Sequence, residues 1–485
     1  MSGFKRLIKN SISNIINGFS NVILGVIISP VLLHNLSKVD FSIWSLTLQV
    51  GILFGVLGLG IQVTVGRFIS LYLNEPLKQQ KVMYQSLIFT LLLGILCFSV
   101  ILILAQFFFT IFPEVKSTTA NAELIFILIG GSFVINNITA PFIGYFTGIE
   151  RNDITARVNV IFKIILGCVV FMSVDHGLDI IAWGYFIVNG LNQFAFFILY
   201  RTQHNKGKIN FSYDKKLLKK IIVFFSGLLV WNIAQFFISG IGTFTVGKLS
   251  FAELPGFAVL MTLVNAGVGI LGAMINPIIQ PMLRMNNSGK RQHVELFVDK
   301  ITLLFAMLVF VGVFIAWFIS IHILGVWLGY EQAEKLHILF SLLLASYLIR
   351  MVAAPYGLML VSYGKQLSIS YFPVIEGVLN FALSLFFVRH YGAIGIAYST
   401  FISGMLIMFV YALKYRTERE TKSNSIFISY LLIPLMIIVC LISLVMTESM
   451  VVHRIIYSMQ LVCALGFVAL IVKQAKSIKT LLNEY

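Results

Sequence analysis

About 14 apolar stretches, each long enough to cross a bilayer as a helix, follow one another along this chain. They run approximately over residues 11–36, 41–66, 83–112, 122–146, 154–174, 180–200, 220–246, 254–282, 301–324, 336–361, 367–388, 393–415, 426–446 and 455–472. A lipid interior offers no partner to a backbone amide, so segments of this kind must satisfy their own hydrogen bonds as helices. The expected fold is therefore an all-α polytopic membrane protein. Composition agrees: charged residues make up only 11% of the chain, against about 25% in soluble domains.

Positive charge orients the spans. The net charge of +16 would suggest nucleic acid if it lay on a soluble domain, but Lys and Arg fall in short runs between apolar stretches, and no nucleic-acid partner is expected. With the N-terminus in the cytoplasm and sides alternating, the inner segments hold Lys5, Arg6, Lys9, Arg67, Lys78, Lys81, Arg151 and Arg157. They also hold the dense 201–220 run, Arg284, Lys290, Arg291, Lys300, Lys365, Lys414, Arg416, Arg419, Lys422, Lys473, Lys476 and Lys479. The outer segments hold Lys38, Lys116, Lys248, Lys335, Arg389 and Arg454. This asymmetry is the positive-inside pattern, and it implies an even number of spans with both termini inside. Basic Lys5, Arg6 and Lys9 lead into an apolar run too long for a signal peptide, so the first span reads as a retained helix. Cys97, Cys168, Cys440 and Cys463 lie in apolar stretches without metal spacing and read as buried hydrophobes. No cofactor motif is found, and no cofactor is expected.

The chain repeats itself. Ala140-Pro141-Phe142 leads through Gly177 and Ala182-Trp183 to Tyr200-Arg201-Thr202. Ala354-Pro355-Tyr356 leads through Gly392 and Ala397-Tyr398 to Tyr415-Arg416-Thr417 at nearly constant offset. Each unit has an even number of spans, so the copies enter the membrane the same way, as in transporters built from parallel repeats. The expected organisation is a six-helix lobe over 1–203, a cytoplasmic linker over 204–219, a second six-helix lobe over 220–418, and two further helices over 419–485, with the two pseudo-symmetric lobes around a central cavity.

At this point the chain resembles the polysaccharide transporter family, which includes O-antigen flippases, within the multidrug/oligosaccharidyl-lipid/polysaccharide exporter superfamily. The resemblance rests on the lobe architecture, on the second-span segment Gly58-Leu59-Gly60-Ile61-Gln62-Val63-Thr64-Val65-Gly66-Arg67-Phe68-Ile69, and on the proline-then-glycine fourth span followed by Arg151 and Arg157. It implies a substrate, an oligosaccharide on undecaprenyl pyrophosphate, moved from the cytoplasmic to the periplasmic leaflet of the bacterial inner membrane by alternating access. Membrane lipids and the polysaccharide polymerase machinery are the partners it implies.

That job sets chemical requirements. An unpaired hydroxyl costs roughly 4–8 kcal/mol in an alkane-like medium, so the sugar needs a polar, hydrated path. Asn14, Asn17 and Asn21 fall on one face of the first span at helical spacing and are expected to line it. Asn136, Asn137, Asn189, Asn192, Gln193, Asn232, Gln235, Asn265 and Asn276 are either further lining or interhelical hydrogen-bonding groups. The diphosphate needs cations. Arg350, near the middle of the tenth span, and Lys163, in the fifth, are the intramembrane candidates, because a charge there costs about 2.5–3.5 kcal/mol on insertion scales; for Arg350 the alternative is a buried structural ion pair. Arg67, Arg151, Arg157 and Arg284 lie near the cytoplasmic mouth, as substrate contacts or as anchors to lipid headgroups. Glu376, in the eleventh span, stands within one residue of the repeat equivalent of Lys163. It is read either as a structural ion pair or as an ion-coupling group, in which case Glu376→Gln abolishes ion dependence.

Rival functions fit less well. A cation-coupled multidrug antiporter of the same superfamily needs cavity carboxylates, which the early spans lack. A lipid II flippase is expected to carry Arg and Asp in its first helix; this one has neither. A membrane polysaccharide polymerase or ligase needs a large external loop, and no HExxH, GxSxG or P-loop is present. The chain therefore reads as a transporter, not an enzyme.

Overall fold

The computed structural model describes residues 24–117, 120–203, 214–275, 278–287, 289, 291–363, 371–419, 425, 428–446 and 450–483. The helices are α1 (Leu24–Asn35), α2 (Lys38–Leu71), α3 (Pro76–Ile111), α4 (Ala122–Gly148), α5 (Asn152–Ser173), α6 (Leu178–Gln203), α7 (Lys215–Ser239), α8 (Ile241–Leu249) and α9 (Leu254–Ile275). They continue with α10 (Ile279–Asn287), α11 (Arg291–Leu328), α12 (Tyr330–Met351), α13 (Ala354–Ser362), α14 (Tyr371–Tyr391), α15 (Ile394–Glu418), α16 (Ile433–Met446) and α17 (Met450–Asn483). Among the described residues, twelve helical segments are long and apolar enough to cross a membrane, and the shorter apolar helices Leu24–Asn35 and Ile428–Leu441 fall on the first and thirteenth expected spans. The chain is thus a multi-pass all-α membrane protein. Broad bands of large apolar side chains are exposed, such as Leu91, Leu92, Ile95 and Leu96 on α3, as suits surfaces solvated by lipid tails rather than water.

The structure forms two compact units, Met1–Thr262 and Leu263–Tyr485, divided inside α9. In the first, α2 packs along α4, with α3, α6 and α7 around them. Without a hydrophobic drive between helices in lipid, close approach depends on small residues. Gly144 and Gly148 form a small-xxx-small pair on α4 facing the end of α2. A Cβ at Gly144 would lie 2.8 Å from the Gln62 carbonyl oxygen, and one at Gly148 would lie 2.7 Å from that of Gly66. Backbone atoms cannot yield as side chains do, so Gly148→Ala is expected to cost about 1–3 kcal/mol, as overpacking does. Gly190→Ala, on α6 with open space at its Cβ, is expected to be neutral or to gain up to about 1 kcal/mol of helix propensity. Thermal unfolding of the two purified variants checks the contrast; equal melting temperatures would show that the α2–α4 contact is looser than described.

The repeat is visible inside each unit. Gly177, before α6, and its equivalent Gly392, before α15, both take positive φ, 94° and 60°, a region open to glycine for want of a Cβ. Phe142 packs on Tyr200 with ring centroids 5.2 Å apart, and the equivalent Tyr356 packs on Tyr415 at 5.0 Å. The copies differ where α4 runs unbroken through Pro141, whereas the second copy divides into α12 and α13 ahead of Pro355.

In the second unit α11 packs on α12, α14 on α15, and α17 on α11. Buried Asp299 accepts from Arg419 at 2.8 and 3.3 Å and from the Tyr415 hydroxyl at 3.2 Å, while Lys300 donates to Ser477 at 2.7 Å. These bonds fasten the end of α15 and helix α17 onto α11.

Candidate functional site

The α5 and α6 helices of the first unit, with α1 and α2, enclose a cavity of about 330 Å³. Its wall combines apolar side chains, among them Ile28, Leu48, Leu166 and Val188, with a set of polar and aromatic ones. Lys163 comes from α5, Tyr185, Asn189 and Asn192 from α6, Trp44 from α2, Ser29 from α1, and Thr262 from α9. Helical periodicity places the α6 group: residues 185, 189 and 192 are spaced by four and three and so share a face. Trp44 meets Tyr185 edge to face at 5.5 Å between centroids, which fixes both rings against the cavity. Ser29 and Thr262 join hydroxyls at 3.1 Å. Asn189 donates to the Tyr185 carbonyl at 2.8 Å, and Asn192 donates to Asn159 at 3.5 Å. The Asn192 Oδ1 is buried and accepts no hydrogen bond. Lys163 is half-buried, and none of the residues lining this cavity is a carboxylate.

Other residues singled out from the sequence fall elsewhere. Asn14, Asn17, Asn21 and Asn276, and the side chain of Arg284, lie outside the described residues. Arg157 is exposed on α5, on the face that carries Ile161 and Ile164, and does not line the cavity. Arg151 pairs with Asp153 at 3.0 Å. Arg67 is exposed near the end of α2, its guanidinium 4.3 Å above the Phe224 ring. Asn137 donates to the Phe54 carbonyl at 2.9 Å and Asn232 to that of Val56 at 3.4 Å, so these two serve helix packing on α2. Gln193 bridges Asn136 and Thr139 at 3.0 and 2.7 Å.

The sequence leaves Arg350 open as a phosphate contact or a buried ion pair, and Glu376 as an ion pair or a coupling group; the structure pairs the two with each other. Arg350 stands in the last turn of α12, near the middle of the candidate span Tyr330–Ser362, and its Nε donates to Oε1 of Glu376 on α14. Arg350 is also the repeat equivalent of Asn136, so an ion pair in the second unit takes the place of a neutral amide bridge in the first. Gly404 on α15 makes room for it: a Cβ there would lie 2.6 Å from the Arg350 Cγ. The aromatic members of the cavity, Trp44, Phe162 and Tyr185, were not singled out from sequence; the spacing of Tyr185 from Asn189 and Asn192 was the available signal.

No protein-family model matches the chain, and no curated protein matches it in sequence. Solved structures do match. A lipid II flippase, MurJ, in an inward closed conformation aligns at a TM-score of 0.70 with 14% identity over 96% of this chain and 99% of that one. An inward-facing multidrug resistance transporter of the MATE family in the MOP superfamily aligns at 0.63 with 15% identity, over 84% and 96%. A MOP superfamily transporter from Pyrococcus furiosus, for which reversed polarity of the binding pocket suggests a different function, aligns at 0.52 with 14% identity, over 86% and 97%. The chain shares the fold of the lipid II flippase structure along nearly its whole length.

Proposed function

We propose that the protein is a flippase that carries an undecaprenyl-pyrophosphate-linked oligosaccharide from the cytoplasmic to the periplasmic leaflet of a bacterial inner membrane by alternating access. The observation that carries this reading is the cavity beside Lys163. Its contents match the chemistry of a sugar diphosphate head group: an ammonium for phosphate, amides and hydroxyls for sugar hydroxyls, and the Trp44 and Tyr185 rings for the apolar faces of a pyranose. Asn14, Asn17 and Asn21, which share one helical face in the sequence, are proposed as further contacts of the sugar. A multidrug antiporter is less well matched, because a cationic substrate would meet Lys163 in this cavity and no carboxylate.

The fold similarity to a lipid II flippase favours one second reading, in which the head group is that of lipid II. Expression in two strains, one depleted of its O-antigen flippase and one of its lipid II flippase, separates the two. Restoration of surface O-antigen supports the first reading; restored viability of the second strain replaces it. Rescue of neither by well-inserted protein, with a gain in drug resistance, would give way to the antiporter.

Asn192 offers a finer check. A buried acceptor without a donor costs about 1–3 kcal/mol, so Asn192→Leu is expected to leave the melting temperature unchanged or raise it while weakening substrate binding about ten-fold or more. Loss of stability with unchanged binding would make Asn192 a packing residue.

A further inference from the structure

A second basic pocket, separate from the Lys163 cavity, opens on the first unit where α2 ends and α7 begins. It encloses about 670 Å³ and is lined by Arg67, Phe68, Leu71 and Tyr72 on α2 and by Lys216, Lys219, Lys220, Val223 and Phe224 on α7. Residues 216, 219, 220 and 223 form one helical stripe, as do 67, 68, 71 and 72. Four cations therefore converge on one depression with an apolar floor. The three lysines stand in the first two turns of α7, at the positive end of its macrodipole, where cations are disfavoured. The nearby carboxylates are already engaged: Asp214 caps α7 by accepting from the Lys216 and Leu217 amides at 2.9 and 3.1 Å, and Glu75 pairs with Lys78 at 2.6 Å. No carboxylate lines the pocket. Topology alone would need lysines on this side of the membrane. It would not need them gathered with an arginine over an aromatic ring around a cleft.

We propose that this pocket is a binding site for an anionic phospholipid of the cytoplasmic leaflet. Its phosphate sits among Arg67, Lys216, Lys219 and Lys220, and its acyl chains run along Val223 and Phe224. The charge-inside orientation of α2 and α7 puts these cations at headgroup level, with Val223 and Phe224 deeper along α7, toward the hydrocarbon. The site is distinct from the substrate cavity, so the proposal stands whether or not the flippase reading does.

The test measures phosphatidylglycerol retained by the purified full-length protein, by native mass spectrometry, against phosphatidylcholine, a zwitterionic lipid of zero net charge whose choline cation opposes its phosphate, as the control. The wild-type chain is expected to retain phosphatidylglycerol selectively. Neutralising Arg67, Lys216, Lys219 and Lys220 to Gln should lower retention about five-fold per cation removed. Val223→Trp keeps every charge and fills the cleft, and it should abolish the selectivity. That variant separates a pocket from a topology signal. Excess inorganic phosphate should displace little lipid, because it cannot use the apolar floor. Equal retention of the two lipids by wild type, retention unchanged by Val223→Trp, or full displacement by millimolar phosphate would each overturn the proposal.

Discussion

Glu376→Ala is expected to destabilise the second unit by about 3–5 kcal/mol, because it strands the Arg350 guanidinium without its partner. The pair is well withdrawn from solvent, with the Arg350 side chain 16% exposed and that of Glu376 8%. The Arg350 stem packs against Gly404 on α15, where an added Cβ would lie 2.6 Å from its Cγ. The double variant Arg350→Met, Glu376→Met should recover most of the loss, since a buried ion pair replaced whole by apolar side chains is often neutral or better. Thermal unfolding in detergent reads both. A Glu376→Ala protein as stable as wild type would show that the pair contributes little. The pairing also bears on coupling: a proton on Glu376 would leave Arg350 uncompensated, so we assign the pair to holding α12 against α14. If Glu376→Gln removed the ion dependence of transport while the melting temperature held, the coupling role would be restored.

Lys163→Ala carries the second large expectation. Hydrogen bonds to a charged group contribute about 1.5–3 kcal/mol, so losing the ammonium should weaken binding of a lipid diphosphate by roughly ten- to a hundred-fold, with little change in stability. Lys163→Arg, which keeps the charge, should retain part of the activity. Binding that falls equally in Lys163→Ala and Lys163→Arg would point to shape, not charge, at this position.

The sequence made the helices legible because each span announces itself by length and hydropathy, and the repeat because paired Ala-Pro and Tyr-Arg-Thr segments bracket equal distances. The same property hid the division between α12 and α13. The apolar run is continuous through Val352, Ala353 and Ala354, and Arg350 lies near the middle of the span Tyr330–Ser362 as expected, but the helix break beside it left no mark in the sequence. In the structure Arg350 ends a helix, at the negative pole of the α12 dipole. A proline alone did not decide the matter, since Pro141 sits within unbroken α4. Pairing was illegible for a different reason. Arg350 and Glu376 are 26 residues apart, and Asp299 and Arg419 are 120 apart, and only packing of distant helices brings them together. Arg419 read as an inner-side topology charge, yet its side chain is 2% exposed and bound to Asp299. The asparagines divided on the same principle. Asn137 and Asn232 spend their donors on α2 carbonyls, whereas Asn189 and Asn192 face the cavity with Lys163. Composition could not separate these two uses, because both need an amide inside a helix bundle.

The central claim is that the Lys163 cavity accepts the diphosphate head group of a lipid-linked oligosaccharide. The most direct test reconstitutes the full chain in liposomes loaded with undecaprenyl-pyrophosphate-linked oligosaccharide and follows exposure of the sugar to an enzyme added outside. Wild type should expose the inner-leaflet sugar well above the protein-free rate, and Lys163→Ala, inserted to the same level, should fall close to that baseline. Translocation by Lys163→Ala at the wild-type rate would contradict the account.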